Sequence, residues 1–255
     1  MAASADTGPV ELGSLRRACR ICSLNELCWP LGLQPADLER LQATVRSVGP
    51  LEAGTYLFRC GDPFTAIYAV RSGCIKSFSF DAEGHELVHG FHLVGQVLGF
   101  DAVYPDRHRC NAQVLETSTL CVVPYRDIAR LSIEFPILHD HVLRLMGREF
   151  SHQLMGAERQ TATQRIANFL LDIHARLQQA GLVEQEFTLP MSREDIASYL
   201  GITPETLSRL LTKLERLGLI EIDNRRVLLV DPVHLDMLAE GVSEKQLFRR
   251  IDNYQ

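Results

Sequence analysis

The chain has 255 residues, 46% of them hydrophobic and 23% charged, with a formal net charge of −6, seven cysteines and nine histidines. That length suits one large domain or two ordinary ones, each able to bury a core, and neither a run of roughly 18–20 apolar residues for a membrane helix nor a basic-then-apolar secretory start is present. The expectation is a cytoplasmic protein with no membrane partner. In such a protein an odd cysteine count argues against a disulfide scaffold, and the acidic total argues against nonspecific coating of nucleic acid while leaving room for a local DNA-binding element.

Residues 1–14 are small and polar without apolar periodicity and read as a flexible tail. Three cysteines follow as Cys19-x2-Cys22-x5-Cys28, then Trp29-Pro30, and Pro35 opens a helix-like run through Leu38, Leu41 and Val45. Two- and five-residue gaps let a loop wrap a soft metal centre, zinc or iron–sulfur, because thiolates suit both. Three ligands leave a fourth open among Cys60, Cys74, Cys110 and Cys121. A redox dithiol at Cys19 and Cys22 lacks the βαβ context it needs.

From Pro50 to about Pro124 the pattern changes to short β-rich runs broken by glycine, such as Ala66-Ile67-Tyr68-Ala69-Val70 and Ile75-Lys76-Ser77-Phe78-Ser79-Phe80. Turns every 7 to 12 residues or so indicate an antiparallel roll. His85-Glu86-Leu87-Val88-His89 matches a zinc-protease pattern. It follows a turn and enters a strand, where four residues span about 13 Å, too far for one ion.

Pro136 begins a helix with Leu138, Val142, Leu145, Met146, Phe150 and Leu154 at spacings of three and four. Such a stripe can pack on the roll along one edge and on a partner helix along the other. A second helix covers Gln164 to Gln179 and stops at Gly181.

Next, Ser192 is an N-cap with Asp195 three residues on, Gly201 can end a short helix in the left-handed conformation, and Thr203-Pro204 starts another. Two helices three residues apart, with Ala197 small and Leu207 inward, make a helix-turn-helix. Glu205, Ser208 and Arg209 face outward at the start of the second helix, where side chains reach base edges in the major groove. Leu219 to Ile222 and Arg226 to Val230 flank Asp223-Asn224-Arg225 as a β-hairpin wing, with Arg225 and Arg226 near phosphates.

Cys19-x2-Cys22-Ser23-Leu24-x2-Leu27-Cys28-x-Pro30, Ala69-Val70-Arg71-Ser72-Gly73, Gly90-Phe91-His92-Leu93, Leu115-Glu116-Thr117-Ser118, Arg144-Leu145-Met146 and Glu205-Thr206-Leu207-Ser208-Arg209 together resemble the CRP/FNR superfamily of bacterial transcription regulators. The cysteine spacing is similar to its oxygen-sensing fumarate and nitrate reduction branch. The resemblance runs from about Leu15 to Leu238.

It implies an α+β fold: an N-terminal antiparallel β-roll of the cyclic-nucleotide-binding, jelly-roll type, a long dimerisation helix and a C-terminal winged helix-turn-helix. The implied division is 15–135 for the sensor region and roll, 136–158 for the dimerisation helix, 159–232 for the DNA-binding domain and 233–255 for an extension. It also implies Cys121 as the fourth ligand of a 4Fe-4S cluster held with Cys19, Cys22 and Cys28, and conversion of that cluster by oxygen to a 2Fe-2S form that weakens the dimer. Glu205, Ser208 and Arg209 would read a TTGAT-N4-ATCAA palindrome as part of a homodimer, and the loop from Asp81 to Glu86 would help touch RNA polymerase. The protein implied is a regulator and not an enzyme.

Departures from the family pattern exist. Gln96 follows Gly95, and Cys110-Asn111 stand where relatives place a phosphate-binding pair, so no cyclic nucleotide is expected. Gln153 replaces an acid in the dimerisation helix, and Trp29 follows Cys28. Structural zinc or a thiol switch on the same architecture is the alternative.

Overall fold

A computed structural model describes residues 40, 43–155 and 160–242. The tail, Cys19, Cys22, Cys28, Trp29 and most of the run after Pro35 lie outside the described residues.

Eight strands form a two-sheet roll: β1 (Arg46–Leu51), β2 (Tyr56–Phe58), β3 (Ala66–Ser72), β4 (Ile75–Phe80), β5 (Glu86–His92), β6 (Val97–Leu98), β7 (Asn111–Val114) and β8 (Ser118–Pro124). Their orders are β1-β8-β3-β6 and β2-β7-β4-β5, every pairing antiparallel. Strand periodicity sends alternate side chains to opposite faces. On β3 and β8, Ala66, Val70, Leu120 and Val122 therefore enter the layer between the sheets, and Ile67, Ala69, Cys121 and Val123 face the other way. The β3–β4 turn passes so close to β8 that a Cβ at Gly73, whose φ is +85°, would sit 2.1 Å from Ser118 Oγ.

Helices α1 (Tyr125–Glu134) and α2 (Pro136–Met155) cover that second face with Ile128, Leu131, Leu138 and Leu145. The apolar stripe of α2 divides between two sides. Leu138 and Leu145 are buried against the roll, Val142 is half-buried and Leu143 is exposed. The side chains of Phe150, Gln153 and Leu154 fall outside the description.

The C-terminal unit comprises α3 (Ala162–Gln179), β9 (Glu186–Thr188), α4 (Arg193–Leu200), α5 (Pro204–Arg216), β10 (Ile220–Asp223), β11 (Arg226–Leu229) and α6 (Pro232–Ala239). Thr161 starts α3 with a reciprocal capping box to Gln164. The wing has three strands, β10-β11-β9, where the sequence pattern indicates two. β9 is three residues long, and its identity as a strand comes from pairing with β11 rather than from local pattern.

The two units share one apolar core: Phe78, Val88, Phe91 and Leu93 of the roll pack with Phe169, Ile196 and Leu200. Polar contacts reinforce the junction. Ser198 Oγ accepts from Val88 N at 3.1 Å and donates to Glu86 O at 2.7 Å, which satisfies ladder groups on edge strand β5. Lys76 Nζ, buried on β4, donates to Glu86 Oε2 at 2.5 Å and to Asp195 Oδ1 at 2.7 Å. Among the described residues no helix is long and apolar enough to cross a membrane.

Candidate nucleic-acid interface and sensor cysteine

The local chemistry around Ser192 builds the interface. Ser192 Oγ accepts from Asp195 N and the Asp195 carboxylate accepts from Ser192 N, a capping box that satisfies donors at the start of α4. Gly201 takes φ 62° and ψ 42°, the left-handed region that favours glycine, and ends the helix. Thr203 Oγ1 then accepts from Thr206 N with Pro204 at the first helical position of α5.

Leu207, Leu211 and Leu214 bury the inner face of α5, which leaves Glu205, Ser208, Arg209 and Thr212 exposed on one stripe. Spacing brings together all three residues singled out from the sequence, and Thr212, one turn beyond Ser208, extends their stripe. Its periodic position is the signal that finds it. The backbone N–H of Glu205 itself and the Thr203 hydroxyl hold the Glu205 carboxyl below the usual glutamate range. At neutral pH it is therefore an anionic acceptor, and Arg209 is a permanent donor. Such a pair suits a cytosine amino group and a guanine edge respectively.

The wing arginines have partners within the protein. Arg225 Nη1 donates to Pro190 O at 3.3 Å, and Arg226 Nε donates to Glu186 Oε1 at 2.8 Å. Arg226 remains exposed and can exchange that carboxylate for a phosphate.

Cys121 lies on the central strand β8, opposite Ser47 of β1 and Ala69 of β3. It is half-buried and packs in the apolar layer that holds Leu138, Val142 and Leu145 of α2. A cysteine sulfur at the margin of an apolar layer fits the soft donor set of an iron–sulfur cluster. Cys74 does not fit: it is fully buried, and burial pushes its thiol far up, with the nearby Glu116 charge adding to the effect. Among the described residues no group of three or more His, Cys, Asp and Glu is placed to hold a metal ion.

The zinc-protease pattern is taken apart by the strand. His85 bonds Asp81 at 3.2 Å in the turn, while His89 Nε2 meets Ser79 Oγ at 2.8 Å on β5. Gln96 also has protein partners, accepting from Leu93 N at 2.7 Å and from Arg176 Nη1 of α3 at 3.2 Å.

Residues 164–238 match the Crp-like helix-turn-helix domain and residues 49–134 the cyclic nucleotide-binding domain. The chain is 38% identical over 240 residues to the transcriptional activator protein Anr of Pseudomonas protegens, covering 92% of this chain and 98% of that one. It is 35% identical over 239 residues to the fumarate and nitrate reduction regulatory protein of Vibrio cholerae, covering 92% and 95%. The structure of FixK2 from Bradyrhizobium japonicum superposes with a TM-score of 0.70 at 26% identity, covering 78% of this chain and 98% of that one.

Proposed function

The chain belongs to the CRP/FNR family of DNA-binding transcription regulators, and from that premise we propose that it is an oxygen-responsive homodimeric activator. Cys19, Cys22, Cys28 and Cys121 would hold a 4Fe-4S cluster, and Glu205, Ser208 and Arg209 would read a TTGAT-N4-ATCAA palindrome. When bound, the cluster would supply the reactivity toward oxygen. No cyclic nucleotide takes part, and the promoter-bound dimer contacts RNA polymerase.

The observation that carries this reading is the position of Cys121, whose side chain shares one apolar layer with Leu138, Val142 and Leu145 of α2. A change of coordination at Cys121 alters packing on the inner edge of the helix whose outer edge exposes Leu143 to a partner. Four thiolates around a cluster core of charge +2 leave a net −2 unit, so cluster loss changes charge as well as packing there.

The test is anaerobic purification with iron, sulfide and zinc analysis, visible absorption before and after air, and a parallel Cys121→Ser variant. Equal iron and sulfide with absorption that bleaches in air is the expected result, and the variant should lose it. Zinc without sulfide, or an unchanged cluster in Cys121→Ser, would overturn the assignment.

A further inference from the structure

Cys60 and Cys110 have no part in the reading above, yet the roll brings them together. Two pairings bracket them: Phe58 opposes Ala112 at the end of β2 and β7, and Pro63 opposes Arg107 in an isolated antiparallel bridge. Between these pairs the chain turns at Arg59–Asp62, and that turn lies against the segment leading from Arg107 to Cys110: Gly61 N donates to His108 O at 2.8 Å and His108 N to Asp62 O at 3.0 Å. A disulfide spans roughly 4.4–6.8 Å at Cα, a separation that closing this turn onto Cys110 would give.

Side-chain contacts agree with this placement. Cys60 N donates to Asn111 Oδ1 at 3.1 Å and Cys60 Sγ donates to Arg109 O at 3.4 Å, so the backbone and the sulfur of Cys60 each touch a residue flanking Cys110. Cys110 Sγ donates to Asp101 Oδ2 at 3.6 Å, an oxygen that also accepts from Arg109 N at 2.8 Å. Cys60 is exposed and occupies the β-turn closed by Asp62 N to Arg59 O at 3.0 Å. That turn can shift without disturbing a core. Charges of both signs surround the pair: Arg59 precedes Cys60, Arg107 Nη1 donates to Gly61 O at 2.7 Å and Arg109 precedes Cys110, while Asp62 shares the turn with Cys60 and Asp101 accepts from Cys110. An exposed cysteine beside a second, resolving cysteine is where thiol oxidation stops reversibly at a disulfide.

We propose that Cys60 and Cys110 form a peroxide-sensitive thiol pair, a modification site separate from the sensor cysteines. The Cys60 sulfur attacks one oxygen of a hydroperoxide, the O–O bond breaks, and Cys60 becomes a sulfenic acid with release of water or an alcohol. The Cys110 sulfur then attacks the Cys60 sulfur, the S–O bond breaks and water leaves. Two thiols and one hydrogen peroxide thus give one disulfide and two waters, and a dithiol reductant reverses the change. In the oxidised form Cys110 no longer donates to Asp101, and the 59–62 turn is fastened to the start of β7.

The test uses the full-length reduced protein treated with hydrogen peroxide, with remaining thiols blocked by N-ethylmaleimide and tryptic peptides read by mass spectrometry. Cys110 and Cys121 share one tryptic peptide, so fragmentation and a Cys121→Ser background assign the partner. A Cys60–Cys110 linkage is expected in both backgrounds, removed by dithiothreitol and lost in Cys60→Ser and Cys110→Ser. In Cys110→Ser, Cys60 should accumulate a sulfenic acid that dimedone labels. Full alkylation of Cys60 after peroxide, a linkage that disappears with Cys121, or no dimedone label on Cys60 in Cys110→Ser would overturn the proposal. None of these outcomes bears on the cluster, which is assayed by iron and sulfide.

Discussion

Glu205 and Arg209 stand one helical turn apart on the exposed stripe of α5 with opposite charges, so on the proposed base edges they would take opposite partners. An arginine that bonds a guanine in bidentate fashion contributes about 1–3 kcal/mol of discrimination at that base pair. Arg209→Ala should therefore bind DNA with relaxed preference at one position of each half-site, measured by competition among singly substituted duplexes. Weakening by the same factor on every sequence would place Arg209 on a phosphate instead. These residues were legible in the sequence because a helix start is a local event: Ser192, Asp195, Gly201, Thr203 and Pro204 each act on backbone groups within four residues. The cysteines were legible only in part. Burial separates Cys74 from Cys121, and burial depends on which strands pair across long stretches of chain.

At the scale of elements, the junction between β4, β5 and α4 sets how the DNA-binding unit sits on the roll. Burial by itself would lower the pKa of Lys76, but the hydrogen bonds it donates to Asp195 and then to Glu86 outweigh that and raise the value. For Asp195, burial pushes upward and the hydrogen bonds from Lys76 and Ser192 outweigh that, holding it below its ordinary 3.8. The depressed aspartate contributes stability that is complete above pH 3.8 and is lost as pH falls through the depressed value. The raised lysine contributes stability that is complete below 10.5 and is lost as pH rises through the raised value. Docking thus has a plateau between these limits. Lys76→Met leaves two carboxylates without their cation and should cost about 2–3 kcal/mol on that plateau, toward the low end for a broken buried pair because Glu86 is partly exposed. It should also flatten the acid limb. Urea unfolding from pH 3 to 8 checks both, and a variant with wild-type stability and an unchanged acid limb would remove Lys76 from the junction. Ser198→Ala should speed hydrogen exchange at the Val88 amide, which loses its acceptor. The polar Lys76 between Ile75 and Ser77 suggests an outward face on β4, yet Lys76 is buried because the C-terminal unit covers that face. Two-residue periodicity reports the strand; it carries no information about what docks on it.

For the whole molecule, a net charge of −6 leaves little general attraction to a polyanion, so affinity rests on a few placed contacts used twice. The two edges of α2 then have separable jobs. Leu138 is 1% exposed and anchors the helix to the roll, whereas Leu143 is 54% exposed on the same helix and is available to a second copy. Leu138→Ala removes buried packing and should lower unfolding stability by about 2–4 kcal/mol. Leu143→Asp should leave the monomer folded, since it buries no charge in the chain itself, but a pair of like charges brought together at a two-fold seam opposes association. Sedimentation of Leu143→Asp under anaerobic conditions should give a monomer with wild-type circular dichroism. Its binding to a duplex carrying both half-sites should fall about 10²–10⁴-fold, the usual gain from linking two sites, toward the affinity of either protein for a single half-site. Were Leu143→Asp to sediment as a dimer with full affinity, the partner surface would lie elsewhere than on the exposed edge of α2, and the route from Cys121 through Leu138 and Leu145 to that edge would fall with it.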